Sequence, residues 1–115
     1  MTKTIAKPKR SLDVSPTFKA AVTIPRAGSD SFDIEFVFKH RTKAELKEFS
    51  DAVASGAGDE DAKDSDVLLD IASGWDLDEP FDADSLEKLT QRFMGSTQAV
   101  LSAYFFELSG ARAKN

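Results

Sequence analysis

The sequence predicts an α+β fold: a single domain whose N-terminal β-hairpin is covered by about four short helices. Three observations predict it. Apolar residues alternate strictly over two neighbouring runs, a helix-start signature follows them at once, and the rest of the chain repeats apolar residues at three-and-four spacing. A chain of 115 residues suits one domain and can bury a core without metal or disulfide support.

The hairpin is the clearest element. Phe18, Ala20, Val22 and Ile24 fall on one face of the first run, and Phe32, Ile34, Phe36 and Phe38 on one face of the second. Pro25 to Asp30 supplies a turn between them. A lone hairpin is marginal in water, so its Phe-rich face needs a cover. Thr42 and Glu45 form a capping box for a first helix with Leu46, Phe49 and Val53 on one stripe. Residues 55–63 mix glycine with charge and read as a mobile loop. Asp64 or Ser65 then caps a short second helix carrying Val67, Leu68 and Ile71, which Gly74 ends. Trp75 to Phe81 is a connector. Asp82 caps a third helix, with Phe81 and Leu86 placed as a hydrophobic staple. Met94-Gly95-Ser96 interrupts, and a fourth helix carries Val100, Leu101, Tyr104, Phe105 and Leu108 up to Gly110. Ahead of all this, residues 1–15 are lysine-rich and poor in apolar groups, and read as a flexible arm before a domain spanning 16–115.

Composition narrows the chemistry. Cysteine is absent, which removes disulfides, thiolate metal sites and cysteine nucleophiles together and suits a reducing cytoplasm. The net charge is −5, and between Asp59 and Glu87 Lys63 is the sole basic residue among many carboxylates. Phosphate backbones would be repelled there, so no nucleic-acid partner is expected. No run approaches the about 20 apolar residues of a membrane span, so no membrane partner is expected either.

No catalytic centre, cofactor site or metal site emerges. His40 is the sole histidine and stands at a strand end without a partner for acid–base work. Asp76, Asp78, Asp84 and Glu87 share the outer spacing of a calcium loop, but Pro80 and Phe81 stand where an oxygen ligand and the turn glycine belong. The glycines form no phosphate loop. What remains is apolar surface. Tyr104, Phe105 and Phe106 are consecutive, so they cannot all face one core. Phe106 either packs on a neighbouring helix or joins a partner or oligomer contact, and Trp75 is either a lid on the core or an interface anchor.

Several segments carry a family resemblance in the same order. These are Pro16-Thr17-Phe18-Lys19-Ala20 with Ile24-Pro25, Phe36-Val37-Phe38-Lys39-His40-Arg41-Thr42, Gly74-Trp75-Asp76-Leu77 before Glu79-Pro80-Phe81, and the ending from Tyr104 to Asn115. Together they resemble the phage tail assembly chaperones of long-tailed phages and prophages. Many of those proteins carry a Tyr-Pro pair before the last helix, where this chain has Phe93-Met94-Gly95.

The resemblance implies a host-cytoplasmic protein that binds the long, helical tape measure protein and keeps it soluble until the tail tube polymerises around it. It also implies a tail tube partner reached through a longer, frameshifted form. On this reading Trp75, Leu77, Phe81, Tyr104, Phe105 and Phe106 include part of the client surface, and a homo-oligomer is a further expected assembly. The alternative is a structural minor tail or tail completion protein, which would polymerise or form rings.

Overall fold

A computed structural model describes residues 12–55 and 63–110. Of the arm expected over 1–15, only the exposed, irregular Leu12–Ser15 falls within the described residues. The loop expected over 55–63 lies almost wholly outside them, as does the end of the chain beyond Gly110.

The alternating runs form β1 (Thr17–Arg26) and β2 (Ser29–Lys39), paired antiparallel with Ala20 opposite Phe36 and Val22 opposite Ile34. Period two does what it predicts. Ala20, Val22, Ile24, Ile34, Phe36 and Phe38 are buried, whereas Lys19, Thr23, Asp33 and Glu35 face outward. The turn is tighter than Pro25–Asp30, because the strands continue to Arg26 and resume at Ser29 around Gly28, whose φ of +73° suits glycine. The register slips beside Pro25, which cannot donate to a ladder.

Helix α1 (Lys43–Ser55) begins on the predicted box: Glu45 N–H donates to Thr42 Oγ1 at 3.1 Å, and Thr42 N–H to Glu45 Oε1 at 2.8 Å. Helix α2 (Asp64–Ile71) corrects two expectations. Lys63, not Asp64 or Ser65, stands at the cap, and it makes no side-chain capping bond. The two expected caps turn to other helices instead: Asp64 Oδ2 accepts from Thr97 Oγ1 at 3.0 Å, and Ser65 Oγ donates to Glu87 Oε1 at 3.3 Å.

Nor does α2 run on to Gly74. It ends at Ile71, and Ala72–Trp75 forms an unforeseen strand, β3, antiparallel to β2 with Gly74 opposite Val37 and Trp75 opposite Phe36. The far edge of β2 carries N–H and C=O groups that need partners, and pairing them outweighs another helical turn.

Helix α3 (Ala83–Arg92) starts on Asp82, whose Oδ1 accepts from Ser85 N–H at 2.9 Å. Helix α4 (Ser96–Ser109) lies between Gly95 and Gly110, both left-handed, so Gly95 with φ +89° makes the corner between α3 and α4. All the helices lie on the inner side of the sheet, whose strand order is β1-β2-β3. Helix α4 packs along β1, and α2 sits between α3, α4 and β3. The chain is therefore α+β: a hairpin extended to three strands, with four helices among the described residues.

Candidate partner-binding surface

The entry to α1 is pinned by one cation. Arg41 Nη1 donates to Tyr104 Oη at 2.9 Å, its Nη2 lies 3.2 Å from Asp70 Oδ2, and its guanidinium sits 4.4 Å from the Phe49 ring centre. Tyr104 in turn donates to the Lys39 carbonyl at 2.7 Å. Burial costs the Arg41 cation, yet the bond with Tyr104 and the charge of Asp70 outweigh that and raise its pKa. Burial likewise raises the Tyr104 phenol above its ordinary value. Lys39 and Arg41 also donate to the Leu69 and Asp70 carbonyls at 3.2 and 3.4 Å, placing two cations at the C-terminal end of α2. Helices α1, α2 and α4 thus meet on Arg41, just beyond the end of β2.

The six residues expected at the client surface are not brought to one place. Tyr104 is fully buried and touches Phe18, Phe38, Phe49 and Phe105, so it positions its neighbours and offers no surface of its own. Consecutive aromatics on a helix do diverge: Phe105 leans on Phe49 at 6.1 Å between ring centres, and Phe106 points outward, 51% exposed.

Trp75, Leu77 and Phe81 are half-buried at and just beyond the end of β3. There Trp75 stands edge-on to Phe81 at 5.2 Å and to Phe36 at 5.9 Å, and its Nε1 donates to the Glu79 carbonyl at 2.8 Å. Asp76 extends the ladder beyond β3, its N–H donating to the Glu35 carbonyl at 3.1 Å and its Oδ1 accepting from Glu35 N–H at 3.0 Å. The Gly-Trp-Asp-Leu segment is thereby occupied in closing the sheet over the core.

One open apolar feature was not singled out from sequence. Helices α1 and α2 flank a groove of about 540 Å³ lined by Phe49, Ala52 and Val53 from one side and Val67 and Leu69 from the other, with Lys39, Asp66 and Asp70 at its margins. It adjoins a more polar hollow of about 500 Å³, walled by His40, Arg41, Glu45 and Glu48, and the two share Lys39, Phe49, Ala52 and Asp70. The signal was there in part: Phe49 and Val53 form the α1 stripe, but periodicity does not say whether a facing helix closes on it.

His40 is half-buried at the strand end, where its N–H donates to the Pro16 carbonyl at 2.9 Å. Among the described residues no cluster of metal-ligating side chains occurs, and no helix is long and apolar enough to cross a membrane.

A small α+β domain whose polar networks hold the fold, and whose open apolar lining lies between two helices, has the form of a partner-binding module. The family model described as phage tail assembly chaperone matches residues 5–115, nearly the whole sequence, and the chain belongs to that family. No curated protein and no solved structure matches it.

Proposed function

We propose that this chain binds the tape measure protein in the host cytoplasm, holds it soluble, and yields it as the tail tube polymerises. The observation that carries this reading is the groove between α1 and α2, where Phe49, Ala52, Val53, Val67 and Leu69 line an open channel instead of closing on one another. A helix with an apolar stripe is the complementary shape, because an amphipathic helix lays its i, i+3, i+4 and i+7 side chains into such a channel. The mixed charges of the adjoining hollow suit that helix's polar flank.

Phe105 walls the same region through Phe49, and the half-buried Trp75, Leu77 and Phe81 supply a smaller second patch. A modest apolar area of this kind gives reversible binding, which a chaperone that must leave requires. The net charge of −5 keeps the mixed assembly dispersed. Catalysis has no part in the role. A tail tube partner, reached through a longer frameshifted form, belongs to the same reading.

Co-expression with the tape measure protein tests it. The chain is expected to move the client from the insoluble to the soluble fraction. Ala52→Glu, at an exposed groove position that leaves the core untouched, is expected to abolish this while the chaperone itself stays folded. Client solubility unchanged by that substitution would refute the groove as the contact.

A further inference from the structure

The groove between α1 and α2 and its adjoining hollow share Phe49 and Ala52, and so form one channel. Its lining holds two basic side chains, Lys39 and Arg41, and four carboxylates, Glu45, Glu48, Asp66 and Asp70. Both cations are bound to the fold. Arg41 donates to Tyr104 and lies against Asp70, and Lys39 Nζ donates to the Leu69 carbonyl at 3.2 Å. Two of the carboxylates are also engaged, Asp70 by Arg41 and Glu45 by the Thr42 N–H at 2.8 Å. That leaves Glu48 on α1 and Asp66 on α2, both exposed. Among the described residues neither carboxylate has a hydrogen-bond or ion-pair partner.

The helix faces explain why no other cation answers them. Lys43 and Lys47 stand four apart, on the side of α1 away from Phe49, and Lys47 pairs there with Asp51 at 3.1 Å. Lys63, at the cap of α2, lines a separate polar hollow with Glu87. Each helix therefore brings one unanswered negative charge to an apolar channel.

We infer that this channel selects client helices whose apolar stripe is bordered by Lys or Arg on both sides. The inference rests on reading the groove as the tape measure contact, and adds the class of segment it takes. A helix seated by its i, i+3, i+4 and i+7 side chains turns the positions beside that stripe toward the two walls. A long basic side chain suits those positions, because its methylene stem covers apolar lining while its charge reaches a carboxylate. An acidic border would instead set like charges together as water leaves the channel. The same charges disfavour a second copy as the occupant. Helix α4 offers the exposed aromatic Phe106, but its sole charged side chain is Glu107.

Calorimetric titration of the full chain with three synthetic amphipathic helices tests this. All three carry the same leucine stripe, bordered by Lys, by Gln or by Glu. The Lys-bordered helix is expected to bind about tenfold more tightly than the Gln-bordered one, and the Glu-bordered helix most weakly. Glu48→Lys combined with Asp66→Lys is expected to erase that order. Asp33→Lys combined with Glu35→Lys makes the same change in net charge on the exposed sheet face, and is expected to preserve it. Equal affinity for the three helices would overturn selection by the borders and leave the groove as an apolar contact, whereas no binding at all would remove both readings. An order lost equally in the two double variants would also overturn it, since overall charge would then suffice. So would a Lys-bordered helix that binds only after residues 1–11 are removed, or self-association abolished by Glu48→Lys with Asp66→Lys, because either result gives the channel another occupant.

Discussion

Arg41 and Tyr104 lie 2.9 Å apart, nitrogen to phenolic oxygen, and that bond ties the start of the first helix to the middle of the last. Tyr104 O–H in turn donates to the Lys39 carbonyl at 2.7 Å, so one buried hydroxyl serves as both acceptor and donor. The wall of the groove is anchored there, because Phe49 packs against both the Arg41 guanidinium and the Tyr104 ring.

Tyr104→Phe removes both bonds while keeping the ring. It is expected to cost about 1–3 kcal/mol, read as a shift of the urea midpoint at unchanged slope. The phenol's folded pKa is raised by burial, so its contribution is full below the ordinary tyrosine value of 10.0 and is lost as pH rises through the folded value. The variant is therefore expected to lose less stability than the wild type under strongly alkaline conditions.

Glu45 governs the acid side of the first helix. Its carboxylate is held below the ordinary 4.5, chiefly by the Thr42 backbone N–H. A depressed folded pKa stabilises above the unfolded value and is lost as pH falls through the folded one. Titration of the helical circular dichroism signal should thus show Glu45→Gln losing less than the wild type as pH drops below 4.5.

Asp76→Ala should loosen the sheet locally. It leaves Glu35 N–H without its carboxylate acceptor, at an expected cost of about 1 kcal/mol. Hydrogen exchange at the Glu35 amide is expected to accelerate, while amides on the β1 side of β2, such as Ile34, keep their protection.

Asp82→Ala removes the cap of α3 and is expected to cost about 1 kcal/mol, with Asp82→Asn close to neutral because the amide oxygen can accept from Ser85 N–H. Thermal melts of the pair separate capping from charge.

Most of the fold was legible in sequence because its signals are local. The hairpin rests on alternation, α1 on Thr42 and Glu45, α3 on Asp82, and α4 on Gly95 and Gly110 at its ends. The strand β3 was not, for a physical reason. Ala72-Ser73-Gly74-Trp75 is too short to alternate and contains a glycine, and what makes it a strand is the unpaired edge of β2, far away in sequence. The caps of α2 were misread because Asp64 and Ser65 spend their side chains on Thr97 and Glu87.

The surface was less legible than the fold. Tyr104 went inside because Arg41 and Lys39 satisfy its hydroxyl, and spacing alone cannot show that. The groove depends on two helices leaving a gap, so Val53 and Val67 look like ordinary core positions in sequence although both line it.

Chemical-shift mapping of the labelled full chain against helical segments of the tape measure protein tests the central claim most directly. Perturbations are expected to gather on Phe49, Ala52, Val53, Val67 and Leu69, and to vanish in Ala52→Glu. A client that leaves those signals in place, or shifts only the exposed sheet face around Lys19 and Thr23, would contradict the account.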